Sequence, residues 1–115
     1  MTNAIQVVFF RLASGKEPVR EWLKSMSHTD RKIIGENIKT LQYGWPIGMP
    51  LARKMGDGLW ELRSTLANRI ARTFFTFYEG RIVLLHGFIK KSQATPIKER
   101  EIAKRRLGIL RGPDA

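Results

Sequence analysis

The 115-residue chain has no cysteine, only two histidines, and ten acidic side chains against 21 basic ones. Without cysteine, neither a disulfide framework nor a thiolate metal site can form, which fits a reducing cytoplasm. The two histidines show no metal-binding spacing, and the chain carries neither a Gly-x-Ser-x-Gly elbow nor a Gly-Lys-Ser/Thr phosphate loop. No metal and no cofactor is therefore expected. Apolar runs stay well short of the roughly 20 residues a membrane span needs. The N-terminus has no charged-then-apolar leader pattern. The expectation is a soluble, cytoplasmic protein that is neither secreted nor held at a membrane.

What is present is positive charge, a formal net of +11. Residues 1–50 hold 7 basic and 4 acidic side chains, whereas residues 51–115 hold 14 and 6. A basic half of a small protein attracts polyanions and makes their binding salt-dependent. Solubility, or an acidic protein partner, would use the same charge. Apolar content of 43% and charged content of 27% are those of an ordinary globular protein. The length predicts a single domain over residues 1–115.

Ile5 to Phe10 reads as a first strand, rich in β-branched and aromatic residues. Pro18 suits a helix's first turn. Val19, Trp22, Leu23 and Met26 then form one apolar stripe. Residues Ser27 to Asp30 offer caps for a second helix with Ile33, Ile34, Ile38 and Leu41 on its buried face. Gly44 and Pro46 end it, so the two helices make a hairpin. Residues 44–58 are dense in glycine and proline and read as a loop, with Arg53 and Lys54 inside it. That basic pair either touches phosphate or is simply solvated.

Three strand patterns follow. Glu79-Gly80 reads as a two-residue hairpin turn. Strict pairing from it opposes Phe75 to Leu84, Thr73 to His86 and Arg72 to Gly87. Opposed residues share a face. A loop from Leu66 to Arg69 then opposes Arg63 to Arg72. One face so obtained is apolar and receives the helical hairpin; the other gathers Arg63 and Arg72 around Gly87. Two opposed arginines repel and need Glu61, or an incoming phosphate, as compensation. Thr95 and Pro96 open a last helix with Ala103, Leu107 and Leu110 inward and Lys98, Arg100, Lys104, Arg105 and Arg106 solvated. The expected class is α+β: a mainly antiparallel sheet, an N-terminal helical hairpin on one face, and a C-terminal helix.

The chemistry must come from cations set in apolar strands, where an unpaired charge is costly to bury. Arg63, Arg72, Lys90 and Lys91 form the central set, with Arg69 and Arg81 at strand ends. Such a set can cleave RNA through the substrate's own 2′-hydroxyl. Arginine stabilises the charge building on phosphorus, and lysine serves the leaving group or the proton. A basic sheet face that only binds nucleic acid would look the same. His86 is either an acid–base group or a satisfied core histidine, and strict pairing puts it on the apolar side.

Leu59-Trp60-Glu61-Leu62-Arg63, Arg72-Thr73-Phe74-Phe75 and the run from Val83 to Gln93 with Thr95-Pro96 resemble the HigB-like, phage-derived branch of the RelE/ParE toxin superfamily. The resemblance covers nearly the whole chain. It implies a RelE-like fold and the toxin of a type II toxin–antitoxin pair, an mRNA endonuclease that cleaves transcripts on the ribosome. It also implies a cognate antitoxin, of helix-turn-helix type, through which alone operator DNA is contacted. By position, Arg63, Arg72, Lys90 and Lys91 match the cations that contact and activate the scissile phosphate. His86 joins them as a proton-transfer candidate. Arg53, Lys54, Arg69, Arg81 and Lys98 are the expected RNA or ribosome contacts. Some RelE members place a tyrosine near the terminal helix; here Tyr43 and Tyr78 lie elsewhere. A gyrase-directed ParE-like toxin and a non-catalytic nucleic-acid-binding regulator are the alternatives on the same fold.

Overall fold

The computed structural model describes residues 4–48, 50–90 (Lys90 by its backbone) and 96–112. Its elements are β1 (Gln6–Phe9), α1 (Pro18–Lys24), α2 (His28–Gly44), β2 (Ala52–Gly56), β3 (Leu59–Thr65), β4 (Ile70–Tyr78), β5 (Arg81–Lys90) and α3 (Ile97–Arg111). The strands form one sheet in the order β1-β5-β4-β3-β2, antiparallel except where β1 runs parallel to β5. The fold is α+β, with the N-terminal helices and the C-terminal helix that the sequence led us to expect.

Local chemistry accounts for the boundaries. Pro18 opens α1 at its first position, where a missing N–H costs nothing. Ser27 caps α2, its Oγ accepting from Asp30 N at 3.2 Å, a bond of the kind that contributes about 1 kcal/mol. At the β4–β5 turn both Glu79 and Gly80 have positive φ, the geometry that matches strand twist in a two-residue hairpin. The β3–β4 link closes with Leu66 N donating to Arg69 O at 2.9 Å and opposes Arg63 to Arg72, as the loop length implies.

Three expectations change. Residues 52–56 are a strand, not loop: β2 pairs with β3 through a turn at Asp57 and Gly58, both with positive φ. Asp-Gly is itself a hairpin signal. The helix α3 starts at Ile97 with Pro96 in the capping position, and the cap expected at Thr95 lies outside the described residues.

The third change is the largest. The β4–β5 register holds from Tyr78–Arg81 to Phe75–Leu84 and then shifts, so that Phe74 opposes His86, Thr73 opposes Gly87 and Arg72 opposes Phe88. Leu85 is the extra residue of a β-bulge, which inverts the facing of everything beyond it. Gly87 therefore turns toward the helical hairpin. His86 and Phe88 turn toward α3.

Each sheet face covers its own core. Leu62, Phe75, Ile82 and Leu84 pack with Val19 of α1 and Leu41 of α2, while Ala71 packs with Ile34. On the other face Leu59, Phe74, Val83, Leu85 and Phe88 pack under Ala103 and Leu107 of α3. The face expected to be cationic around Gly87 is thus largely apolar and roofed by α3. Arg53, Glu61, Arg63 and Arg72 gather on its β2–β3–β4 side, and Arg81 stands apart from them at the hairpin end of β5.

Candidate nucleic-acid interface

Two cross-strand rows on the α3 face build the site. One runs Arg53 (β2), Glu61 (β3), Phe74 (β4), His86 (β5); the next runs Arg63, Arg72, Phe88. Equal pleat parity puts all seven side chains on one surface. Arg72 Nη1 donates to Glu61 Oε1 at 2.8 Å, and the two residues are 2% and 0% exposed. Glu61 thus supplies the compensation that two facing arginines require. Arg72 Nε has no hydrogen-bond partner among the described residues.

Burial pushes the Arg72 guanidinium below the usual arginine range. The Glu61 carboxylate opposes that shift, and the Arg63 and Arg53 charges add to it. Three guanidiniums from three adjacent strands therefore share one field around one carboxylate. Their surplus positive charge suits a phosphate, which arginine can grip in a bidentate way. Access differs among the three. Arg72 is sealed in, Arg63 is half-buried, and Arg53 is exposed. The reachable cations are Arg53 and Arg63, with Arg72 anchored beneath them.

His86 stands in the same surface but is occupied. Its ring lies nearly parallel to those of Phe74 and Phe88, with centroids 6.5 and 6.0 Å away, and the three make a triangle in which the two phenylalanines are 5.7 Å apart. Nε2 lies 2.6 Å from Glu99 Oε2, and Arg106 Nη1 lies 3.3 Å from Nδ1. Arginine can only donate, so Nδ1 accepts and Nε2–H donates to the carboxylate. Burial lowers the His86 pKa first; Glu99 raises it in part, and Arg106 lowers it again. The ring is a neutral tautomer with both nitrogens engaged. It faces α3, not the helical hairpin as strict pairing had it, because of the bulge.

The same Arg106 Nη1 donates to Leu85 O at 2.8 Å. A bulge leaves a backbone group off the ladder, and buried backbone groups need partners. Arg106 provides this one. It and Glu99 were not among the candidates: Arg106 was expected on the solvated side of α3, and it instead turns inward. Its position, three residues after Ala103 and four before Leu110, lies on the inward stripe, but an arginine there reads as solvated because the demand for it arises from a bulge on another element.

The remaining candidates disperse. Lys54 opposes Trp60 and so faces the α1–α2 side, away from Arg53. Arg69 is tied to Asp30 at the start of α2, at 2.5 Å. Arg81 opposes Tyr78 at the hairpin end. That end is six residue pairs from Arg72, roughly 20 Å along the strands. Lys98 is exposed in the first turn of α3. The Lys90 backbone closes β5 opposite Ile70, and Lys91 lies outside the described residues. Gly87, whose missing side chain was expected to leave room for a long cation or a backbone, instead receives the Trp22 indole.

Among the described residues no group of three or more His, Asp or Glu side chains could hold a metal ion, and no helix is long and apolar enough to cross a membrane. A family sequence model described as phage-derived protein, Gp49-like (DUF891), matches residues 21–108, about three quarters of the chain. The matched span runs from α1 to α3 and includes both arginine rows. No curated protein matches the chain.

Proposed function

The chain belongs to the phage-derived Gp49-like family, a type II toxin family related to the RelE-like toxins, and we propose that it is a HigB-like mRNA endonuclease acting on the ribosome. The observation that carries this reading is the cluster of Arg53, Arg63 and Arg72 around the buried Glu61. In the proposed reaction the substrate's 2′-oxygen loses its proton and attacks the adjacent phosphorus. The bond to the 5′-oxygen breaks and that oxygen takes up a proton, leaving a 2′,3′-cyclic phosphate and a 5′-hydroxyl. No metal takes part in this scheme.

Arg63 and Arg53 touch the phosphate and stabilise the charge that builds on its oxygens, often the largest catalytic contribution in such sites. Arg72 is a positioning residue that acts through Glu61 and Arg63. Lys90 and the residue that follows it in sequence, Lys91, are the proton-transfer groups, with His86 as a further candidate once it leaves Glu99. Lys98 contacts the RNA backbone. The protein works in the cytoplasm as a single toxin domain, and a helix-turn-helix antitoxin neutralises it and carries the complex to operator DNA.

Toeprinting on translating ribosomes tests the proposal. The wild-type protein should produce new mRNA ends inside codons. Arg63→Ala should abolish them, and relieve growth arrest, while circular dichroism and antitoxin binding stay unchanged. Intact messenger in the presence of a growth-arresting wild-type protein would refute the ribonuclease reading.

A further inference from the structure

A second concave surface lies at the other end of the α3 face. It is a groove of about 400 Å³ between β1 and the C-terminal half of α3. Val8, Phe10, Val83 and Leu110 line it with apolar surface, and Ile109 stands over it, 61% exposed. Because β1 is an edge strand, no neighbouring strand closes that side.

The rim is mainly cationic. Arg11 and Arg81 line the groove, and Arg105, exposed one turn before Ile109, extends the same stripe of α3. Glu79 is the one acidic residue lining it. Arg81 makes no ion pair among the described residues, and Arg11 is held only loosely by Glu17 at 3.5 Å. An apolar floor within a positive rim suits an amphipathic segment whose apolar side chains enter the groove and whose carboxylates meet the arginines. Nucleic acid would meet the cations but leave the aliphatic floor and Ile109 uncovered. A toxin of this family has an antitoxin partner. We infer that this groove seats an acidic amphipathic segment of the antitoxin, at a surface separate from the arginine cluster. The inference rests on family membership and does not depend on the ribonuclease reading.

The probe is the protein encoded by the reading frame beside this gene, titrated calorimetrically against the full chain. Ile109→Glu and Arg11→Glu should each weaken binding at least tenfold while the circular dichroism spectrum stays that of the wild type. Ile109→Glu should also keep its growth arrest, and Arg63→Ala should bind as the wild type does. Hydrogen exchange should slow in β1 and in the last two turns of α3 on complex formation. Undiminished affinity in both groove variants overturns the inference. So does loss of affinity in Arg63→Ala, failure of the adjacent-frame protein to bind the wild type, or protection of the groove by a short single-stranded RNA instead. Should Ile109→Glu fail to fold, the surface variant Arg11→Glu and the exchange map decide. Absence of RNA cleavage would leave these outcomes unaffected.

Discussion

The Trp22 indole of α1 occupies the space beside Gly87 of β5 so closely that a Cβ on that glycine would collide with the ring. The contact locks the first helix onto the strand just beyond the bulge. Gly87→Ala should therefore destabilise the protein by about 1–3 kcal/mol, the usual range for overpacking a filled core. Urea unfolding measures it. Trp22→Leu should cost stability alone yet recover part of the Gly87→Ala loss when the two are combined. Additive losses would show that the ring and the glycine are not coupled.

The Glu61–Arg72 pair supplies a second test. Both side chains are out of solvent, so removing one partner strands a buried charge. Glu61→Leu and Arg72→Met should each cost about 3–5 kcal/mol, whereas the double variant carrying both should cost less than their sum. A double-mutant cycle in urea checks this. The result bears on function as well: loss of toxicity in Arg72→Ala must be read beside its folding, while Arg63→Ala and Arg53→Ala remove charges that are not sealed in.

The arginine site was legible in the sequence as far as local rules reach. Loop length implied the Arg63–Arg72 register, which holds, and charge balance asked for Glu61 or an incoming phosphate beside them, of which Glu61 is found paired with Arg72. The pairing of β4 with β5 was legible only up to Phe75–Leu84. No glycine or proline marks Leu85 as a bulge, and a bulge depends on what the strand must pack against. One inserted residue then exchanged the faces of His86, Gly87 and Phe88. The strand β2 was hidden by the glycines and prolines around it, although Asp57-Gly58 carried the hairpin signal. Arg106 falls on the inward stripe of α3, but the role that holds it there was illegible for a different reason. Its partner is the Leu85 carbonyl, which needs a side-chain donor only because the bulge exists.

The His86 cluster makes stability depend on pH. Burial holds the ring below its ordinary pKa of 6.5, against the pull of Glu99 and with the help of Arg106. The unfolded chain therefore binds that proton more readily than the folded one. The contribution of neutral His86 is complete above the unfolded value and is lost as pH falls from there through the lower folded value. Urea midpoints taken from about pH 7.5 down to about pH 5 should fall more steeply for the wild type than for His86→Gln, which keeps a donor and an acceptor. Parallel curves would mean that the ring titrates alike in both states.

Arg53 and Lys54 are neighbours in sequence but face opposite sides of the sheet, Arg53 beside Glu61 and Lys54 beside Trp60. If phosphate is received on the α3 face, only the first should matter. Fluorescence anisotropy with a short single-stranded RNA over a range of salt concentrations separates them. Arg53→Ala should weaken binding and reduce the slope of log affinity against log salt by about 0.7, the loss of one phosphate contact to a single strand. Lys54→Ala, which removes the same formal charge, should leave that slope within error of the wild type. Equal reductions from both variants would mean that the RNA responds to overall charge and not to the face on which Arg53, Arg63 and Glu61 converge.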